Sequence, residues 1–203
     1  GGVQDNYNIR AERSLALYDT PHRAVISYIV DLPFGKNKKF GANATGLAGK
    51  LISGWGVNGI TTFQSGNPLP ISVSANTTNS FGGGQRPNRT SVPIGVDGSA
   101  QSRLDGWFNT AAFSTPAAFT FGNASRTMPD MRSHGIAEFN FTVFKNTLIT
   151  ERVGLQFRAE VFNLFNRVQF GYPGTSLGTT TFGVVSSQYN NPRLIQLALR
   201  LSF

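Results

Sequence analysis

Hydrophobic and polar side chains alternate along five separate stretches of the chain, and this period of two limits the possible folds more than any other feature. In the last stretch, apolar residues occupy every second position from Ile195 to Phe203, with Gln196, Arg200 and Ser202 between them. Successive side chains of a strand point to opposite faces, so the pattern predicts strands with one apolar and one polar face. The predicted strands cover residues 22–33, 50–74, 136–145, 152–162 and 193–203.

The connections between these strands alternate between short and long. Only residues 146–151 separate the third strand from the fourth, which predicts an antiparallel hairpin. Residues 75–134 and 163–192 have no sustained period and are rich in Gly, Asn and Thr. Strands of about 10 residues with short turns at one end and long loops at the other are typical of outer-membrane barrels. We therefore predict an all-β antiparallel meander that forms part of a transmembrane outer-membrane β-barrel with long extracellular loops.

Two other all-β proteins fit the same alternation. A soluble β-sandwich that binds carbohydrate also has strands with one apolar face. A small autonomous outer-membrane barrel or adhesin would have to close with about eight strands, whereas we predict five or six. The nearly uninterrupted apolar faces favour the membrane interpretation, in which hydrocarbon covers them. With 14% charged residues and no cysteine, the composition excludes disulfide scaffolds and cysteine-ligated metal sites.

The polar faces of the last two strands carry four charged side chains. On the barrel interpretation these face the lumen, where they meet water or protein rather than lipid. Neighbouring opposite charges on one strand face predict a ladder of salt bridges rather than a paired-carboxylate catalytic site. The four predicted lumen-facing residues are Arg152, Arg158, Glu160 and Arg200.

No arrangement of residues predicts catalysis. The two histidines, His22 and His134, are far apart in sequence, and a metal site or catalytic triad would need one of them with partners. The net charge of +8 is typical of nucleic-acid-binding proteins, but here the basic residues are scattered rather than clustered. We predict no enzyme activity, no metal, no cofactor and no nucleic-acid partner.

Nine short blocks occur in a fixed order along the chain: YDTPHR (18–23), DLPFGK (31–36), GWGVNGI (54–60), FQSGNP (63–68), WFNTAAF (107–113), FGNA (121–124), FKN (144–146), FRAEVFNLFN (157–166) and LALRLSF (197–203). In this order they resemble the C-terminal part of a TonB-dependent outer-membrane receptor. The resemblance is to the Oar-like branch, whose members carry a carboxypeptidase-regulatory-like domain ahead of plug and barrel.

The resemblance implies a function in transport in the outer membrane of a Gram-negative cell. Such receptors import a scarce, bulky nutrient through a barrel of about 22 strands with a plugged lumen. The four lumen-facing residues would then contact the plug. The terminal strand would carry the signal read by the barrel-assembly machinery, at Leu197, Leu199, Leu201 and Phe203.

The expected partners are outer-membrane lipid, the assembly machinery, the protein's own plug domain and the TonB energy-coupling system. No plug, TonB-contacting box or regulatory domain is visible in this sequence, and it starts at Gly1 without methionine. We interpret the chain as a fragment, residues 1–203 of which supply part of the barrel, while energy coupling lies outside it. The transported ligand cannot be read from the sequence.

Overall fold

The computed structural model describes residues 3–79 and 84–203, which divide into two compact units. The sheet unit comprises residues 23–63, 137–168 and 191–203, and the loop unit residues 3–22, 64–79, 84–136 and 169–190. The described strands are β1 (Arg23–Asp31), β2 (Trp55–Gln64), β3 (Pro68–Leu69), β4 (Ser72–Val73), β5 (Asn88–Arg89), β6 (Phe113–Ser114), β7 (Met128–Arg132), β8 (Ile136–Leu148), β9 (Gly154–Phe162), β10 (Ser176–Leu177) and β11 (Leu194–Ser202). The helices are α1 (Gly46–Ile52) and three 3-10 turns, at Ile9–Glu12, Gln101–Arg103 and Thr110–Ala112.

The five long strands form one sheet in the order β1-β2-β8-β9-β11, which is their order along the chain. Strand β9 pairs antiparallel with β8 on one side and with β11 on the other. The predicted all-β antiparallel meander is therefore confirmed. Among the described residues, β1 and β11 each have a single neighbour in this sheet, so the sheet is open.

The predicted strand over 50–74 is wrong in extent. Residues 46–52 form α1, and β2 begins only at Trp55. The strand ends at Gln64, and Gly66, just beyond it, lies so close to the Ser133 backbone that a Cβ atom would be 1.8 Å from the Ser133 carbonyl oxygen. Pro68, which has no N–H to donate, follows in the separate short strand β3.

The hairpin between β8 and β9 is tighter than predicted, because β8 continues to Leu148 and β9 begins at Gly154. The turn is closed by hydrogen bonds from four backbone N–H groups, of which two are the shortest. Ile149 donates to the Val153 carbonyl at 2.9 Å, and Val153 donates to Thr150 Oγ1 at 3.1 Å. Residues 149–153 are thus held outside both strands.

The two segments predicted as long loops contain packed structure. Residues 80–83, within the first of them, lie outside the described part of the chain. Elsewhere these segments form the pair β5–β6, while their strands β7 and β10 pair with β3 and β4 of the segment before residue 75. Their apolar side chains build a buried cluster with residues from β3 and the segment after it, including Leu69, Ile71, Ile94, Trp107, Phe108, Phe113, Met128, Met131 and Val185. Trp107 and Phe108 therefore pack inside the loop unit.

Within the described residues, no helix is both long and apolar enough to span a bilayer.

Candidate functional site

The polar face of the sheet unit is built by the register of β8, β9 and β11. Arg158 lies between Phe144 and Ala198, and Glu160 lies between Thr142 and Gln196. The Arg158 Nη2 atom is 2.7 Å from Glu160 Oε1, so the two side chains form an ion pair along one strand.

The polar side chains continue toward the hairpin end of the same face. Gln156 lies opposite both Asn146 and Arg200, and its Nε2 donates to Asn146 Oδ1 at 2.8 Å. Three of the four predicted lumen-facing residues, Arg158, Glu160 and Arg200, therefore share one face.

Arg152 does not lie on this face of the sheet. It is an exposed residue of the turn at 149–153, two residues before β9 begins. The predicted strand placed it in register with Arg158, but the closed turn ends that register at Gly154. The position assigned to Arg152 from sequence is thus wrong.

The opposite face of the same strands is mostly apolar, with Lys145 and Thr147 of β8 beside Phe157 and Leu155 toward its hairpin end. Ala159 lies between Val143 and Leu197, while Phe157 pairs with Leu199. Leu197 is 68% exposed and Leu199 71% exposed, and the side chains of Leu155 and Phe157 are half-buried. Within the described residues this row of large apolar side chains stays exposed or half-buried, which suits contact with hydrocarbon, where its transfer from water is favourable.

The residues predicted as the assembly signal fall on this apolar face or just beyond it. Leu197, Leu199 and Leu201 alternate along β11, opposite Ala159, Phe157 and Leu155 respectively. Phe203 follows the last residue of β11 and is almost fully exposed.

Aromatic side chains cluster at one end of this sheet, where β8 begins. The Phe139 ring makes edge-to-face contacts with Phe63 at 5.4 Å and with Phe165 at 4.9 Å between ring centroids. We call these three residues the Phe139 cluster. Edge-to-face pairing places the positive edge of one ring against the negative face of another, so the contacts are attractive beyond their burial.

A second aromatic group lies at the start of β2, toward the other end of the sheet. The ammonium nitrogen of Lys145 is 5.0 Å from the centre of the Trp55 ring, and Phe34 packs on Phe40 at 5.7 Å. Trp55 and Phe63 are separated by eight positions of β2, which is about 27 Å along an extended strand or about 21 Å across a bilayer at a tilt of ~40°. This spacing fits an apolar band of about 25 Å with an aromatic girdle at each interface.

The loop unit contains three ion pairs that the sequence analysis missed, and two of them join its N-terminal segment to later segments. Arg86 Nη1 lies 2.9 Å from Glu12 Oε2, with both side chains under a tenth exposed. Arg132 Nη2 lies 2.7 Å from Asp19 Oδ2. Partners separated by 74 and 113 positions leave no periodic signal in a single sequence.

The environment of Glu12 shifts its acid–base equilibrium. Burial by itself raises the pKa of Glu12, but the Gln4 backbone N–H and the Arg86 guanidinium both favour the charged form. These donors outweigh the burial, so the pKa of Glu12 lies below its ordinary value. Glu12 is therefore a charged anchor at neutral pH.

A cavity of about 150 Å³ in the loop unit was also missed. Amide and aromatic side chains line it, contributed by segments around residues 64–67, 133–136, 169–172 and 189. No group of three histidine, aspartate or glutamate side chains is close enough to hold a metal ion within residues 3–79 and 84–203.

Comparison with known proteins gives one result. The profile of a family described as an outer membrane beta barrel domain matches residues 1–196. No curated protein and no solved structure shows significant similarity to the chain. The matched range includes four of the five long strands, β1, β2, β8 and β9, and both groups of aromatic residues. The chain belongs to the outer membrane beta barrel domain family and is a protein of the outer membrane.

Proposed function

We propose that the chain supplies part of the barrel wall of a TonB-dependent receptor of the Oar-like branch. The complete protein would import a scarce, bulky nutrient across the outer membrane. The observation that carries the proposal is the division of β9 and β11 into a charged face and an apolar face. A barrel wall with lipid outside and a filled lumen inside needs this division.

The charged face supports a protein plug as the lumen partner. The Arg158 side chain is 40% exposed even though Nη2 pairs with Glu160. Hydrogen bonds to a charged guanidinium are stronger than those between neutral groups. A plug segment could present a carbonyl or carboxylate oxygen to the exposed part of Arg158, and Arg200 lies on the same face for a similar contact.

The remaining partners follow from the apolar face and the terminal strand. We propose that outer-membrane lipid covers Leu197, Leu199 and Leu201, and that the barrel-assembly machinery recognises this strand together with Phe203. Energy would come from the TonB system through segments outside these 203 residues. The proposal assigns no chemical reaction, metal or cofactor to the chain.

An autonomous barrel or adhesin is less well supported. The largest sheet of the described residues has five strands and is open, whereas the smallest closed barrels need about eight. The family match is to an outer-membrane domain, which argues against a soluble carbohydrate-binding sandwich.

The import proposal is tested with the complete gene in its host. A deletion strain is grown with cobalamin, a ferric siderophore or maltotriose as the limiting nutrient. We expect a growth defect on one of them that the full-length gene restores, and that inactivation of TonB abolishes the restoration. Restoration that persists without TonB, or an upstream coding sequence without a plug, would contradict the proposal.

Plug contact is tested separately with vancomycin, which is too large to cross an intact outer membrane. Arg158→Ala should loosen the seating of the plug and increase vancomycin sensitivity. Arg193→Ala removes the same charge from an exposed residue just before β11 and should have no effect. Equal sensitivity of the two variants would argue against a plug contact at Arg158.

A further inference from the structure

The cavity of the loop unit has walls fixed by backbone contacts. Ser133 N–H donates to the Asn67 carbonyl at 2.9 Å, and Asn67 N–H donates to Ser133 Oγ at 3.0 Å. On another wall, Tyr189 N–H donates to the Gln169 carbonyl at 2.7 Å. Because both pairs of segments are held by their main chains, the cavity exists without any ligand and does not have to be created by binding.

Three amide side chains line the cavity and are available for a ligand. Gln169 is only 7% exposed, and it lines the cavity. Gln64 and Asn67 add two more side-chain amides to the lining. A hydrogen bond made inside a protein cavity is electrostatically stronger than one made in bulk water, so these amides are suited to hold a polar ligand.

The charge of the lining limits the chemistry of the ligand. Its residues include no carboxylate, lysine or arginine, and His134 is its single titratable group besides two tyrosines. An amide offers donors and an acceptor together, which matches a hydroxyl group, itself both donor and acceptor. A neutral molecule rich in hydroxyl groups fits this lining better than an anion or a cation does.

Aromatic side chains provide the remaining wall. Tyr172 and Tyr189 line the cavity and are 54% and 74% exposed, so their rings are accessible at its mouth. Phe170 also lines the cavity, with its ring centroid 5.1 Å from that of His134. A sugar ring has apolar C–H faces and a hydroxylated edge, so aromatic rings can cover its faces while amides bind its edge.

We propose that this cavity binds one neutral sugar residue. A volume of about 150 Å³ is smaller than the roughly 300–1,000 Å³ of pockets for drug-sized ligands, and it suits a single ring or the end of a glycan chain. Tyr172 and Tyr189 would stack on the sugar, and Gln64, Asn67 and Gln169 would bind its hydroxyl groups. The inference goes beyond the import proposal and does not depend on it, since binding requires neither a plug nor TonB.

The test uses the complete protein in dodecylphosphocholine, a detergent without a sugar headgroup. Saturation-transfer NMR and titration with glucose, galactose, mannose and N-acetylglucosamine should show saturable binding of at least one sugar. Citrate, an anion, and glycine betaine, a zwitterion, serve as controls and should not bind. No saturable binding of any of the four sugars, or equal binding of citrate, would overturn the proposal.

Variants locate the binding. Tyr189→Ala removes an exposed ring and should weaken the affinity at least tenfold without affecting folding. Gln169→Leu should also weaken it, provided that heat-modifiable migration on an unheated gel shows a folded barrel. The matched controls, Tyr7→Ala and Gln101→Leu, change exposed residues outside the cavity and should bind as the parent does. Unchanged affinity in Tyr189→Ala would contradict the assignment.

The same variants separate this inference from the import proposal. Sugar binding should persist in protein purified from a strain without TonB. If import fails the test above while sugar binding is observed and is lost in Tyr189→Ala, the cavity is a sugar site on a protein with another role. If import is observed but no sugar binds, the sugar site alone is refuted.

Discussion

The backbone N–H of Asn146 donates a 2.8 Å hydrogen bond to the carbonyl oxygen of Gly54, and no side chain fits at Gly54 beside it. A Cβ atom on Gly54 would lie 2.0 Å from the Asn146 carbonyl oxygen. The φ angle of Gly54 is +79°, a conformation that L-residues adopt only at a cost. This contact lies between the end of α1 and the start of β2, which is the neighbour of β8 in the sheet.

We therefore expect Gly54→Ala to destabilise the sheet unit strongly. The left-handed backbone costs a non-glycine residue roughly 1–2 kcal/mol, and forced overlap adds roughly 1–3 kcal/mol. The total loss in the free energy of unfolding should be about 2–5 kcal/mol. The measurement is the urea dependence of the folded, heat-modifiable band for protein in lipid vesicles.

Gly46→Ala is the control for this experiment. Gly46 also has a positive φ, of +62°, but a Cβ atom there would have no neighbour within 4 Å. The control should lose only the conformational contribution, roughly 1–2 kcal/mol. Similar losses in the free energy of unfolding of both variants would show that the close approach to Asn146 does not contribute to the effect of Gly54→Ala.

The ion pair of Glu12 with Arg86 predicts that acid weakens the loop unit. Because the pKa of Glu12 is lowered in the folded state, its stabilising contribution is complete above the ordinary value of 4.5. The contribution is lost as the pH falls through the folded pKa below that value. Protease cleavage within the loop unit should therefore rise below about pH 4.5 in the parent protein.

Glu12→Gln should remove this dependence and destabilise the loop unit at neutral pH. It leaves the buried Arg86 charge without its partner, which costs about 3–5 kcal/mol in comparable cases. Glu151→Gln changes an exposed carboxylate in the turn before β9 and should keep the parental acid response. Hydrogen exchange of the Arg86 amide between pH 3 and 7 provides the measurement, and an acid response that survives Glu12→Gln would refute the role of Glu12.

The Phe139 cluster predicts unequal effects for its members. Phe139 makes two edge-to-face contacts, whereas Phe63 makes one of them. Each such pair is worth about 0.5–1.5 kcal/mol beyond burial, so Phe139→Leu should lose about twice what Phe63→Leu loses. The same urea titration measures both.

Phe121→Leu serves as the control, because Phe121 makes no ring pair with the described residues. It should show little change in the free energy of unfolding. Equal losses for Phe139→Leu and Phe63→Leu would mean that burial rather than ring geometry determines the contribution of this cluster.

The long strands could be predicted because their signal is local. Along β9 and β11, neighbouring residues alternate between apolar and polar side chains. The register confirms which of these residues share a face. The same reasoning failed at α1, where Leu47 and Leu51 are four positions apart and fit a helix, while Leu51 also fits the alternation of the strand that follows. In a short apolar stretch beside a strand, the spacing of apolar residues does not distinguish a helix from a continuation of the strand.

The loop unit could not be predicted in the same way, because its order depends on contacts between distant segments. Arg86 meets Glu12 across 74 positions, and Trp107 Nε1 donates to the Arg132 carbonyl across 25. The cavity likewise combines Gln64 with Gln169, which belong to different loops. Gly66 carried a usable signal, since a glycine beside Asn67 and Pro68 marks a break, but the Ser133 backbone that requires it is visible only in the structure.

The division of β11 into two faces predicts opposite outcomes for adjacent residues. Leu199 lies on the apolar face opposite Phe157, and Arg200 lies on the polar face opposite Gln156. Leu199→Arg would place a charge in hydrocarbon near the middle of the strand, at a cost of about 2–4 kcal/mol, and should reduce insertion into the outer membrane. Arg200→Leu removes a charge from the other face and should insert nearly as well as the parent.

Both variants are compared as complete proteins, by the amount of heat-modifiable barrel recovered in outer-membrane fractions. Ala198→Leu controls for added bulk on the polar face of the same strand, and it should resemble Arg200→Leu. Equal losses for Leu199→Arg and Arg200→Leu would mean that lipid does not contact the apolar face. The assignment of Leu197, Leu199 and Leu201 to the lipid side would then be wrong. Leu199 and Arg200 are neighbours on one strand, so a difference between the two variants can come only from what contacts each face.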